Sequence, residues 1–260
     1  MRSRAPRSFV VAVVSMVAVA CTGSGPHPVA PSGGPEERAR PVTYAAVGAS
    51  ETAGVGTDDP IEDAWPRVLW RTLPPGSALY DFGVGGSTAE QALQEQAGAA
   101  TAVHADVASV WLNVNDLLRG VPAKRYGRYL RDIVHELRSG GETAVLVANT
   151  PRLDTLPAYL ACRSANGLHV APLGDVVQCP EDLLHAVPPP AAVREAVDAY
   201  NRQIERVATL EGAILVDLHA LGDVPTEHPE WVSDDGFHPS TEGATAVAAA
   251  FERALENAGP

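Results

Sequence analysis

The chain is short of basic residues, aromatics, cysteine and long apolar runs, and each shortage removes a class of function. Lys and Arg number 19 against 32 Asp and Glu, a formal charge of −13. No basic run lies beyond the first seven residues, so a phosphate backbone is a poor partner and no nucleic acid is expected. Aromatics make up 5% of the chain; Trp65, Trp70 and Trp111 read as core rather than as a sugar platform. Trp231 can either pack or line a pocket. His104, His135, His169, His185, His219 and His228 are scattered without paired ligand spacing, so no metal and no cofactor are expected. There is no G-x-S-x-G and no P-loop Gly-Lys-Ser/Thr. Internal repeats are missing too.

The chain does have enough apolar residues, 45% of 260, to bury one substantial α/β core, and a monomer is expected. At the N-terminus Arg2, Arg4 and Arg7 precede the apolar run Phe9–Ala20, which ends at Cys21. A basic start, a short apolar stretch and small residues before a break make an export signal. The run is short for a bilayer span. Val17-Ala18-Val19-Ala20-Cys21 resembles a bacterial lipobox, with Ala18 where such motifs usually carry Leu. Residues 1–21 are therefore read as a signal peptide with Cys21 as the lipidation site, and the protein as secreted or anchored to the outer face of the bacterial cell membrane. Residues 22–41, rich in Gly, Pro and Ser, read as a flexible tether. In an exported chain Cys162 and Cys179 form an even pair, which predicts one disulfide.

From residue 42 to 260 the pattern is that of one domain. Strands are predicted over 42–47, 78–82, 107–112, 143–148 and 213–218. Helices are predicted over 61–72, 88–98, 123–138, 191–210 and 241–257, with Ser87 or Thr88 as an N-cap. Alternation of strands and helices implies a parallel sheet covered on both faces, with ligands beyond the C-terminal strand ends. Residues 149–190 lack a clean period and read as an insertion near the site, stapled by Cys162–Cys179.

Four polar features sit at those strand ends. Ser50 follows the first strand and needs a base to become a nucleophile. Gly86, in Gly83-Val84-Gly85-Gly86, lets a backbone N–H approach a ligand closely. Asn115 follows the third strand and offers an amide donor. Asp235-Gly236-Phe237-His238 places a carboxylate three residues before an imidazole, the offset at which a turn lets one orient the other. Asp234 is an adjacent decoy. Taken singly, each feature has a plain structural reading: a turn serine, a tight turn, a cap, a surface turn before a helix.

Taken in order, the blocks Val47-Gly48-Ala49-Ser50, Gly83-Val84-Gly85-Gly86-Ser87-Thr88, Asn113-Val114-Asn115-Asp116 and Asp235-Gly236-Phe237-His238-Pro239 resemble those of the SGNH/GDSL hydrolases. The resemblance spans residues 42–257. It implies a flavodoxin-like three-layer α/β/α sandwich with a five-stranded parallel sheet in the order 2-1-3-4-5. It also implies serine esterase chemistry: Ser50 as nucleophile, His238 as base, Asp235 orienting it, and Ser50 N–H, Gly86 N–H and Asn115 as the oxyanion hole. Two positions depart from the family pattern. Ala49 stands where Asp is usual, which predicts a less firmly held first loop, and Asn113 stands where Gly is usual. Within the enzyme reading, carbohydrate O-acetylesterase, lipid or general carboxylesterase and O-acyltransferase stay open. A non-catalytic, surface-anchored binding protein on the same scaffold is the rival from another class.

Overall fold

The computed structural model describes residues 40–259 apart from 140, 182 and 185. The expected export signal, Cys21 and nearly all of the tether lie outside the described residues.

Five strands form the main sheet: β1 (Thr43–Gly48), β2 (Ala78–Asp81), β3 (Val107–Trp111), β4 (Ala144–Ala148) and β7 (Ile214–Val216). All pairs are parallel, in the order β2-β1-β3-β4-β7. The expected fifth strand is β7, because two more strands, β5 (Leu168–Val170) and β6 (Val176–Gln178), make a separate antiparallel hairpin in the insertion. A parallel sheet covered on both faces needs strands apolar on both sides. In β1 the alternation separates two cores. Ala45 and Val47 face one with Tyr126, Leu130, Ile133 and Ile204. Tyr44 and Ala46 face the other with Trp65, Leu69, Leu146 and Phe251.

Helices supply the outer layers: α1 (Trp65–Trp70), α2 (Ala89–Ala92), α3 (Gly98–Ala102), α4 (Val114–Leu118), α5 (Ala123–Ser139), α6 (Pro157–Arg163), α7 (Pro190–Glu211), α8 (Val224–Glu227) and α9 (Thr241–Ala258). On one side α5 buries Tyr126, Leu130, Ile133 and Leu137 at helical spacing, and Tyr126 stacks on Tyr200 of α7 with ring centroids 4.6 Å apart. On the other, Trp65 of α1 stacks on Phe251 of α9 at 4.1 Å. Trp65 and Trp111 are buried as expected, and Trp70 is half-buried with its indole N–H donating to Ser77 O.

Two predicted elements are corrected. The helix expected over 61–72 begins only at Trp65, with Pro66 in its first turn. The residues before it are held in turns by Asp59, whose carboxylate accepts from the N–H groups of Ile61 and Glu62. Residues 149–190 are not irregular throughout: they hold α6 and the β5–β6 hairpin. Cys162 of α6 is bonded to Cys179, Cα atoms 4.8 Å apart. The bridge joins helix to hairpin over a small core with Ala161 and Val177. Periodicity could not reveal elements this short, since three residues cannot establish a period.

Candidate active site

In the sheet order β2-β1-β3, the segments leaving these strands are neighbours, carrying Gly86, Ser50 and Asn115 respectively. Ser50 stands in a tight turn after β1, wound by Ala53 N–H to Ala49 O at 3.0 Å and Val55 N–H to Ser50 O at 3.0 Å. Ala49 is buried in the apolar core below, so its methyl anchors the turn without a polar contact.

The Asp235–His238 segment reaches Ser50 from 188 residues away: His238 Nε2 lies 2.9 Å from Ser50 Oγ. On the other side of the ring, Nδ1 lies 2.6 Å from Asp235 Oδ2. The hydrogen-bond order is thus Ser50 hydroxyl, imidazole, carboxylate, with the Nδ1 proton donated to Asp235. Asp235 Oδ1 accepts from the Ser233 hydroxyl and from the N–H groups of Phe237 and His238, at 2.8, 2.8 and 2.9 Å. One carboxylate therefore both shapes the turn and orients the ring. Asp234 is exposed and has no place in this chain of bonds.

Two glycines let the turn fit. Gly236 has φ +73°, and a Cβ there would meet Ala158 N and Val177 of the insertion at 2.9 Å. Gly236 O accepts from Ala158 N–H at 3.0 Å, so the disulfide-stapled insertion supports the Asp–His turn directly. Gly56 has φ +98°, and a Cβ would sit 2.7 Å from His238 Cβ and 2.5 Å from Pro239 O. The loop after Ser50 can approach the imidazole only without a side chain at 56. Neither contact was legible in the sequence.

At the other edge, Asn115 Nδ2 donates to Ser87 O at 3.2 Å, leaving its second amide hydrogen for a ligand. Asn115 lies within α4, so it does not cap that segment. Among the described residues none accepts from the N–H of Ser50 or of Gly86. Asp116 accepts from Ala89 N–H at 2.8 Å and so pins the start of α2. Thr88, not Ser87, caps that helix, in a capping box with Gln91. Gln96 was missed by the sequence reading. It is 2% exposed and bonds to both backbone groups of Gly48. The signal for it is a polar residue within the buried stripe Ala89, Ala92, Ala97, Ala100.

The electrostatics suit proton transfer. Burial pushes the Asp235 carboxyl up, but its bonds from the His238 side chain and three other donors hold it well below the usual carboxylate range. Burial pulls His238 down; the Asp235 hydrogen bond and the charges of Asp235 and Glu51 outweigh it, leaving the imidazole above its ordinary value of 6.5. Glu51, pushed up chiefly by burial, also lies 3.3 Å from Ser50 Oγ and offers the hydroxyl a second, longer acceptor.

A base on His238 works only when neutral, so activity should be lost as pH falls through that raised value. Because the Glu51 charge favours the imidazolium, Glu51→Gln should lower the His238 pKa. Imidazole titration by NMR should show this shift, and the acid limb of kcat/KM should move to lower pH with it. An unmoved or rising His238 pKa would contradict this account.

A cavity of about 80 Å³ opens beside His238. Its walls include Glu51, Trp111, Leu156, Leu218, Trp231 and Phe237. Trp231 therefore lines the pocket, and it also packs, its ring stacked on His228 at 3.8 Å.

A family model described as GDSL-like lipase/acylhydrolase matches residues 46–246. No functionally curated protein matches the chain in sequence. Similar solved structures include a lipase/acylhydrolase from Enterococcus faecalis, with 17% identity over 83% of this chain and 95% of that one and a TM-score of 0.58. Others are the psychrotrophic esterase EstA from a Pseudoalteromonas species, with 14% identity over 83% and 97% and a TM-score of 0.57, and the acetyl xylan esterase AlAXEase, with 15% identity over 82% and 99% and a TM-score of 0.57. At these identities the likeness is one of fold.

Proposed function

This chain belongs to the GDSL-like lipase/acylhydrolase family, and from that premise we propose that it is a serine esterase acting on carboxylic esters of short acyl chains. The observation that carries the reading is the continuous hydrogen-bond chain from Ser50 through His238 to Asp235. Ser50 Oγ bonds to the ester carbonyl carbon while its proton passes to His238 Nε2. The oxyanion is held by Ser50 N–H, Gly86 N–H and Asn115 Nδ2. The bond to the alkoxy oxygen then breaks, and His238 gives its proton to the departing alcohol. Water repeats the sequence: its proton goes to His238, its oxygen to the carbonyl, and Ser50 leaves protonated with release of the acid.

The pocket beside His238 supports the substrate class. The acyl group stays attached through both steps, whereas the alcohol must leave and be replaced by water. The largely apolar pocket beside His238 therefore suits the acyl chain. At about 80 Å³ it is about half the size of an engineered cavity that admits benzene, which fits acetyl to butyryl groups. On p-nitrophenyl esters, kcat/KM should peak at two to four acyl carbons and fall by at least about tenfold at eight or more. A profile rising steadily to long chains would overturn the short-acyl assignment and favour a lipid substrate. A carbohydrate acetyl ester is the second reading, since the same small pocket suits an acetyl group. Including an acceptor alcohol in the assay separates hydrolysis from acyl transfer by the product formed.

We further propose that the protein is exported, with Cys21 as a lipid anchor. The Cys162–Cys179 bond supports this reading, since such bonds persist in oxidising compartments.

A further inference from the structure

A glutamine amide has one acceptor oxygen and two donor hydrogens, and burying it is costly unless they are used. Gln96 uses all three. Its Oε1 accepts from Gly48 N–H at 3.0 Å, and its Nε2 donates to Gly48 O at 3.0 Å and to Ser87 Oγ at 3.2 Å. Gly48 lies two residues before Ser50, and Ser87 directly follows Gly86. Ser87 O also accepts from Asn115 Nδ2. One buried side chain thus joins the loop carrying the serine to the loop carrying Gly86, and through Ser87 to Asn115.

The local fold is adapted to this reach. Between α2 and α3, residues Leu93–Ala97 form a π-helical turn, a widening that occurs often at functional sites. The start of α2 is fixed independently by the Thr88 capping box and Asp116, and α3 is held by Thr101 Oγ1 donating to Glu136 O of α5. Gln96 therefore projects from a braced element. It also answers the expectation attached to Ala49: the first loop has no carboxylate at 49, and Gln96 supplies a side-chain fastening beside the backbone bond from Val84 N–H to Gly48 O at 3.2 Å.

We propose that Gln96 is a positioning residue that sets the placement of Ser50 relative to the oxyanion donors Gly86 and Asn115. The proposal rests on the esterase reading above. Transition-state contacts depend on that placement more than substrate binding does, and a misplacement of about 1 Å can cost on the order of 100-fold in rate.

The test is steady-state kinetics on p-nitrophenyl butyrate with Gln96→Met, which nearly keeps the volume and loses all three bonds. Gln96→Glu keeps the acceptor and loses at least one of the two donations, since a buried carboxyl has one hydrogen to give when protonated and none when ionised. Ser87→Ala cuts only the link to the oxyanion loop. For Gln96→Met and Gln96→Glu, kcat per folded molecule should fall about 10- to 100-fold, with KM within about twofold of wild type and the NMR-measured His238 pKa unchanged. Ser87→Ala should lose several-fold in kcat with the same split. If Gln96→Met does not fold, Gln96→Glu and Ser87→Ala decide the matter. Wild-type kcat per folded molecule, with only the melting temperature lowered, would overturn the proposal and leave Gln96 a purely structural residue. An effect confined to KM would overturn it too. Ser50→Ala run alongside separates the two claims: if it keeps wild-type turnover, the esterase reading has failed; if it is inactive while the Gln96 and Ser87 variants turn over normally, only this inference has.

Discussion

Ser50→Ala should lower ester turnover by on the order of 10⁴- to 10⁶-fold, and His238→Ala should do the same. The reason is geometric. Ser50 Oγ has one strong acceptor, His238 Nε2 at 2.9 Å, and the reaction needs both the oxygen that attacks and the ring that removes its proton. The two residues act as one unit, so the double variant should be hardly worse than either single one. What survives would be the contribution of oxyanion donors and binding alone. Both side chains sit in loops at the end of the sheet rather than between its layers, so both variants should keep the far-UV circular dichroism of the parent. Near-parental rates in either would remove the nucleophile–base assignment. Fully additive losses would mean that the two act separately.

Asp235→Asn is expected to cost on the order of 10²- to 10⁴-fold in kcat, for a reason beyond lost charge. An asparagine can keep its oxygen where Oδ1 now accepts from Ser233, Phe237 and His238, so the turn should persist. Its amide nitrogen would then occupy the place of Oδ2, 2.6 Å from His238 Nδ1. A donor there forces Nδ1 to accept and moves the ring proton to Nε2, where it faces Ser50 and blocks base action. The imidazolium also loses the neighbour that stabilises it, so the His238 pKa should fall. Asp234→Asn, one residue away and exposed, should stay within about twofold of the parent. Equal losses at 234 and 235 would contradict the orienting role of Asp235.

The larger elements were legible because they are long and periodic. The apolar face of α5, Tyr126, Leu130, Ile133 and Leu137, repeats at helical spacing, and α7 runs from a proline in its first turn to the left-handed Gly212. The buried strands alternate with such helices, which fixes a parallel sheet covered on both faces. The four loop blocks, in order, brought out Ser50, Gly86, Asn115, Asp235 and His238, and the structure places the serine, histidine and aspartate in one hydrogen-bonded chain. What stayed hidden depends on contacts between distant segments. The fit of Gly56 against His238 joins residues 182 positions apart in the chain. The seat of Gly236 on Ala158 depends on a seven-residue helix in a stretch with no period. Gln96 reads as one polar residue in an apolar stripe until the π turn brings its amide to Gly48. The helix start at Trp65 was misjudged because Ile61, 73% exposed, falls in phase with the buried face without belonging to it.

The most direct test of the central claim, that Ser50 is the acylated nucleophile, is peptide-resolved mass spectrometry after reaction with a fluorophosphonate. This probe phosphonylates an activated serine and stops there. The account predicts one equivalent of label on the peptide containing Ser50, loss of the label in Ser50→Ala, and labelling slowed by orders of magnitude in His238→Ala. Label on another residue, or ester turnover that continues with Ser50 unmodified, would contradict it.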